Sequence, residues 1–525
     1  MTAMSKTTTL RGFLFTACAV FLLLANASPA VAKFVWTDYY DIEGVPLPEG
    51  IDPQIGGMDL NADGNLVACF HRGEVMIHDA KTGEWNLFAS GLHEPLGLYV
   101  EDEGSILVVQ RSELTRLTDE DGDGAADLYE VVCNDWGMSG NYHEFAFGLV
   151  KDSKQNIYVA LGTASNGSGV REEVRGPWND TGGLTHDMFL YGGSHGDWKE
   201  KKGAVPRMYA RVPYRGCVLR IEPGSRKAKI HATGFRTPNG LFIDSDGQLW
   251  VSDNQGDWVG ASKLHKVQRG GFHGHAASLL WDKNPPKVTP AKLPVAELDQ
   301  RRVRAAALLP QGDCGNSPTQ MLGLPPAFAP VNKATTGQIL MGEMNSPRLA
   351  RYMPDSVQGQ AQGAIMHMLD SSSLGRGNNR MVFSPDGKTL FVGKTHLSWP
   401  GSEGLKKITY KGTPYLQVQS VKLLPDGFEL FFNARVENTK QIEDYLIESY
   451  RILYTSKYGS PKDDLTTEKI ASIDNKGRSI VIQLDTEPRE DRIYDIRLSD
   501  RISSDLGDLS ALRIWYTAHK VVESK

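Results

Sequence analysis

Two sets of residues in this sequence have the types and spacing to do chemistry. His143 and Arg236 each stand a few residues ahead of a short apolar run, Phe147-Gly148-Leu149-Val150 and Leu241-Phe242-Ile243 respectively. A histidine that titrates near neutrality can take the proton of an alcohol, and a nearby guanidinium can steady the negative charge that results. Glu144 follows His143 directly. Gln311, Asn316 and Ser317 precede another such run, and His396 and Trp399 follow the last one, so all could face the same space.

The second set is Asp119-Glu120-Asp121-Gly122-Asp123-Gly124-Ala125-Ala126-Asp127-Leu128-Tyr129-Glu130. Asp119, Asp121, Asp123, Asp127 and Glu130 occupy loop positions 1, 3, 5, 9 and 12, with Gly124 at position 6 and the Ala125 carbonyl at position 7. That is the oxygen cage preferred by Ca²⁺. Its flanks, Leu114 to Leu117 and Leu128 to Val132, read as strands. The expectation is therefore a calcium-stapled β-hairpin rather than a helical calcium sensor.

The elements that must position these residues are hairpins. The clearest is Gly234-Phe235-Arg236-Thr237-Pro238-Asn239-Gly240 leading into Leu241-Phe242-Ile243, a turn at Asp246-Gly247, and the return strand Leu249-Trp250-Val251. The pattern recurs at Met58 to Ala68, Leu96 to Val109, Phe147 to Ala160 and Met381 to Val392, with a degenerate copy at Thr336 to Met341. Further strands follow several copies. A strand repeat of about 40 residues signals a β-propeller, because one blade cannot bury both its faces alone. The fold class expected is all-β: a six-bladed propeller over 33–410, followed by an immunoglobulin-like β-sandwich over 411–525, where the repeat stops and alternating segments begin. The sandwich shows no catalytic constellation, and packing or partner docking is its expected role. In a propeller, the residues ahead of neighbouring inner strands share one mouth, which would bring His143 and Arg236 together. Two long insertions, Thr163 to Tyr214 and His273 to Ala327, should wall that end.

Lys6 and Arg11, the apolar stretch Phe13 to Leu24 and Ala30-Val31-Ala32 form a signal peptide over 1–32. The chain is expected to be periplasmic or secreted after cleavage near Ala32, with no membrane span. The net charge of −6 over 525 residues does not suggest a nucleic-acid surface. After cleavage Cys69, Cys133, Cys217 and Cys314 remain. Their irregular spacing specifies no pairing, no zinc ribbon and no covalent haem.

The order of His143, then Gly234-Phe235-Arg236-Thr237-Pro238-Asn239-Gly240-Leu241, then Gly256-Asp257 resembles the glucose/sorbosone dehydrogenases, propellers related to the soluble quinoprotein sugar dehydrogenases, in an exported bacterial branch. The resemblance covers roughly Pro53 to Thr409. It implies a sugar dehydrogenase oxidising a carbohydrate hydroxyl or aldehyde, with pyrroloquinoline quinone (PQQ) at the mouth and a redox partner such as a cytochrome. It also implies His143 as the base, Arg236 over the quinone, and Asn239, Gly256 and Asp257 beside the cofactor. Where the family has a Gly-Pro whose carbonyls hold the cofactor calcium, this chain has Ser252-Asp253-Asn254. Two alternatives stay open: a non-catalytic carbohydrate- or protein-binding propeller, and a calcium-dependent hydrolase or lactonase on the same scaffold.

Overall fold

The structure, a computed structural model, describes residues 34–165, 173–175, 208–210, 212–286, 293–331, 337–397 and 400–523. The expected signal peptide and most of the first insertion lie outside the described residues.

The hairpins seen in the sequence are the inner halves of six four-stranded antiparallel blades. Their inner strands are Ile55–Leu60, Gly97–Asp102, Ala146–Lys151, Gly240–Ile243, Pro318–Gly323 and Asn378–Phe383. Each touches the next, and the sixth touches the first, so the ring is closed. Closure is made by the chain's beginning. Tyr40–Val45 pairs antiparallel with Gly404–Tyr410 and supplies the outer strand of the sixth blade. The second strand of each blade explains the apolar runs: Leu66–Phe70, Ser105–Val109 and Ile157–Leu161 are buried along their whole length. A strand covered by a blade on each side has no solvent face and so loses alternation. Where blades approach closely, the sequence has glycine. A Cβ on Gly97 would lie 1.8 Å from the carbonyl oxygen of Gly148 in the next blade.

The expected insertion His273 to Ala327 is largely part of the scaffold. It contains a 3₁₀ turn, Ala276–Trp281, and a helix, Val295–Arg301. It also supplies the outer strand of blade four, Ala307–Leu309, and the inner strand of blade five. Ala307–Leu309 is only three residues long, and Pro318–Gly323 is joined to its partner Ile339–Glu343 by a long connection, so no tight hairpin marks them.

The C-terminal region is a two-sheet sandwich. One sheet holds Val418–Leu424, Gly427–Phe432, Ser479–Leu484 and Ile470–Asn475; the other holds Arg513–Ala518, Arg492–Leu498, Tyr445–Ile452 and Lys462–Glu468. Residues Phe34–Lys525 form one compact unit, and the second sandwich sheet continues blade five. Two nine-residue strands, Leu349–Val357 and Gln360–Met368, outgrow the blade, and Gly363 to Met366 pair with Thr517 to Ile514. Met353, Val357, Ala364 and Met366 thereby enter the same core as Phe428, Tyr494 and Tyr516. Tyr516 donates to Asp355 Oδ2 at 2.7 Å across this seam.

Cys69, Cys133, Cys217 and Cys314 are all buried free thiols. Among the described residues no helix is long and apolar enough to cross a membrane.

A shared core should unfold as one. Phe428→Ala, at a fully buried position, is expected to cost about 3–5 kcal/mol. Urea unfolding of this variant should lower propeller and sandwich probes together, and two separated transitions would contradict the continuous sheet.

Candidate functional site

One cavity, of about 100 Å³, opens at the mouth, and both His143 and Arg236 line it. The lining also includes Tyr142, Phe145, Phe147, Thr237, Asn239, Asn254, Gln255, Gln311, Asn316, Ser317, Met344, Leu397 and Tyr458. Phe145, Phe147, Met344 and Leu397 form its apolar part, while amides and hydroxyls supply the rest.

His143 is held by its backbone and by one ring nitrogen. Asn141 Oδ1 accepts its N–H at 3.0 Å, and Arg215, fully buried, donates to the carbonyls of Gly137, Glu144 and Phe145 around it. Burial lowers the Arg215 pKa to about 10, so it remains a cation at neutral pH. The Nδ1 of His143 lies 2.8 Å from the Thr163 carbonyl, an acceptor only, which assigns the proton to Nδ1. Nε2 is then the basic atom, 3.5 Å from Thr237 Oγ1. Glu144 faces away: its carboxylate accepts from the backbone and hydroxyl of Ser139, both at 2.8 Å.

Arg236 and Thr237 ride on a turn fixed by Asp253, which accepts their backbone N–H groups at 3.0 and 2.6 Å. Arg236 donates to Thr237 Oγ1 at 2.9 Å, so the Thr237 hydroxyl links guanidinium and imidazole. Arg236 also donates to the Tyr458 hydroxyl at 3.1 Å. Two atoms of lining residues are buried without a hydrogen-bond partner among the described residues: Arg236 Nε, a donor, and Asn254 Oδ1, an acceptor. Neither atom has accessible surface, so each is a local cost of the fold rather than a contact offered to a ligand.

The remaining expectations fall out unevenly. Asn239 lines the floor, where it meets Asn379 and Arg380. Gly256 and Asp257 do not line the cavity. A Cβ on Gly256 would come within 2.7 Å of Arg236 Cγ, so this glycine makes room for the arginine stem. Asp257 is buried in a short edge strand, Asp257–Val259. Gln311, Asn316 and Ser317 reach the mouth, while His396 is not in the lining and Trp399 lies outside the described residues. Thr237 adjoins Arg236, but nothing in its type or spacing marks it in the sequence. Tyr458 carried no sequence signal at all.

In the acidic loop, carboxylate oxygens of Asp119, Asp121 and Asp127 lie within 4.8 Å of one another. Asp123 is not in this cluster, and all four aspartates accept N–H groups of the loop backbone. Glu130 is a correction: it lies on the strand Leu128–Cys133, pairing with Arg116 at 3.1 Å and Arg226 at 2.5 Å. The twelfth loop position faces inward when a helix follows; here a strand follows and carries the side chain to neighbouring arginines.

For a calcium-held tricarboxylate quinone the described residues do not fit. One guanidinium lines the cavity, and Tyr458 already covers it. At the turn after the hairpin, the Asn254 carbonyl accepts the buried Lys263 ammonium at 2.6 Å, and Asp253 pairs with the same ammonium at 3.2 Å. A protein cation stands where a metal would need that oxygen. Burial pushes the Lys263 pKa below the usual lysine range, and Asp253 opposes this.

Residues 76–177 match the model of a domain of unknown function, DUF7133. No curated protein matches the chain. Among solved structures it is similar to an oxidoreductase (glucose dehydrogenase) of Thermus thermophilus, at 16% identity over 70% of this chain and 99% of that one, TM-score 0.43. It is also similar to the PQQ-bound aldose sugar dehydrogenase of Streptomyces coelicolor, at 13% identity over 70% and 98%, TM-score 0.43. A third similar structure is a gluconolactonase, at 13% identity over 73% and 97%, TM-score 0.39.

The Asp253–Lys263 pair should be structural. Lys263→Met leaves a buried carboxylate without its cation and is expected to cost about 3–5 kcal/mol in urea unfolding; a loss below about 1 kcal/mol would show that the two backbone N–H groups suffice for Asp253.

Proposed function

We propose that this chain binds a carbohydrate at the propeller mouth and acts on it with His143 as general base, as a sugar dehydrogenase or a lactonase-type propeller would. The observation that carries this reading is the convergence of a base and a cation on one cavity. His143, whose tautomer leaves Nε2 basic, stands beside Thr237 and the Arg236 guanidinium. A sugar hydroxyl both donates and accepts, and its ring offers apolar C–H faces to Phe145 and Phe147.

Oxidation of a sugar carbon removes a hydroxyl proton and a hydride. His143 Nε2 takes the proton, Thr237 orients the imidazole and Arg236 stabilises the alkoxide. The hydride passes to an exogenous two-electron acceptor such as the dye. In a lactonase the same base would take the proton of an attacking water. The Lys263 contact favours a further reading, a carbohydrate-binding propeller without turnover, since it occupies the carbonyl that a cofactor calcium would use.

The test is a dye-linked oxidation assay over a panel of aldoses, with and without added PQQ and Ca²⁺, run beside lactone hydrolysis and calorimetric sugar binding. Sugar-dependent dye reduction or lactone cleavage that falls by about 10²-fold or more in His143→Ala is the expected result. Binding without turnover selects the non-catalytic reading, and neither binding nor turnover removes the proposal. Export to the periplasm or beyond, and electron transfer to a cytochrome-like partner, belong to the same proposal.

We further propose a structural Ca²⁺ at Asp119, Asp121 and Asp127. Three converging carboxylates repel one another without a cation, so chelation should loosen the blade-two hairpin. EDTA is expected to lower the melting temperature, with recovery on added Ca²⁺; an unchanged melting temperature rules the ion out.

A further inference from the structure

We infer that Tyr458, in the C-terminal sandwich region, is a positioning residue of the propeller mouth, setting the direction of Arg236. The two residues are 222 positions apart, yet the Arg236 guanidinium donates to the Tyr458 hydroxyl at 3.1 Å and lies 5.7 Å from its ring centroid. The contact is built into the backbone. Tyr454–Tyr458 pairs antiparallel with Asp257–Val259, which follows the blade-four hairpin, and Asp257 stands opposite Tyr458. The Gly459 N–H donates to the Gly256 carbonyl at 3.0 Å, and the Tyr454 hydroxyl donates to the Gly274 carbonyl at 2.6 Å. The ladder holds Trp258 at a φ of 71°, a conformation a bulky residue adopts only when its surroundings impose it.

Gly256 leaves room for the arginine stem, since a Cβ there would lie 2.7 Å from its Cγ, and the neighbouring Tyr458 ring lies beside the guanidinium. The hydroxyl of Thr237 and that of Tyr458 then take two of its terminal nitrogens and fix the plane of the guanidinium. A guanidinium free to swing on its long stem could not present one edge to a ligand; one bonded at two points can. Tyr458 also lines the cavity and is 37% exposed, so it borders whatever Arg236 binds. The sandwich is accordingly a component of the site rather than an appendage. Its bearing on a sugar rests on the carbohydrate reading above, but the orientation of Arg236 can be tested without any ligand.

The experiment is site-resolved phenylglyoxal modification of the full mature chain, read by peptide mass spectrometry, for the wild type, Tyr458→Phe and Tyr458→Ala. Phenylalanine removes only the hydroxyl and keeps the ring. We expect Arg236 to react about tenfold or more faster in Tyr458→Phe, the size suited to one lost hydrogen bond to a charged group, and faster still in Tyr458→Ala. Arg304, which pairs with Asp299 and Asp491 elsewhere, should keep its wild-type rate. Equal Arg236 rates in all three proteins would overturn the inference, as would equal acceleration of Arg304, the mark of general loosening. Repeating the reaction with an aldose present asks the separate question: absence of protection in the wild type counts against the carbohydrate reading and leaves the positioning result standing.

Discussion

A single guanidinium at the propeller axis holds the inner strands in the arrangement everything else uses. Arg380 is buried and donates to the carbonyls of Gly56 at 2.7 Å and Leu96 at 2.8 Å, and to the Oδ1 atoms of Asn239 at 2.9 Å and Asn379 at 3.1 Å. Those residues belong to blades one, two, four and six. Burial lowers its pKa to about 10, which leaves it charged at neutral pH, and its partners are carbonyl and amide oxygens rather than a carboxylate. A buried cation is tolerable only when its donors are met, so the ring must close around Arg380 in one geometry. Asn239 is thereby fixed at the floor of the cavity, three residues from Arg236.

From that floor the site is assembled by the chain's own backbone-capping groups. Asp253 carries the Arg236–Thr237 turn, Arg215 carries the His143 segment, and both are buried charges satisfied mainly by main-chain partners. The functional side chains are consequently attached to rigid parts. The sandwich then adds Tyr458 from outside the ring. Its strand, Tyr454–Tyr458, is tied to the ring by the ladder with Asp257–Val259, and the sandwich by the pairing of Gly363 to Met366 with Thr517 to Ile514. Cavity, propeller and sandwich form one mechanical unit.

The repeat was readable because each hairpin is local: an apolar run, a glycine turn and a second apolar run within about 15 residues make a blade's inner half wherever they occur. The same locality put His143 and Arg236 ahead of adjacent inner strands, and in the structure they open on one cavity. Locality also explains the misses. Pro318–Gly323 is separated from its partner strand Ile339–Glu343 by a long connection rather than a tight turn, so its hairpin is not legible locally. Glu130 fits a loop pattern by spacing, but spacing does not say whether a helix or a strand follows, and the strand turns it toward Arg116 and Arg226. Gly256 suggested a cofactor contact, whereas its missing Cβ accommodates the Arg236 stem.

By itself, then, the sequence determined the all-β class, the six-blade count and the order of polar residues around the mouth, since turn chemistry and apolar runs act over a few neighbouring residues. Only the tertiary structure decided that the sandwich sheet extends blade five and that Tyr458 reaches Arg236. It also decided that Lys263 occupies the Asn254 carbonyl. These contacts join residues from 9 to 222 positions apart. Lys263 reaches Asn254 within blade four, from the strand paired with Asp253, while the two long-range contacts depend on which strand edges meet after the ring closes, and an edge carries the same N–H and C=O groups whatever its sequence. Backbone pairing between distant strands therefore leaves little mark in residue types, and in this protein such pairing completes the site.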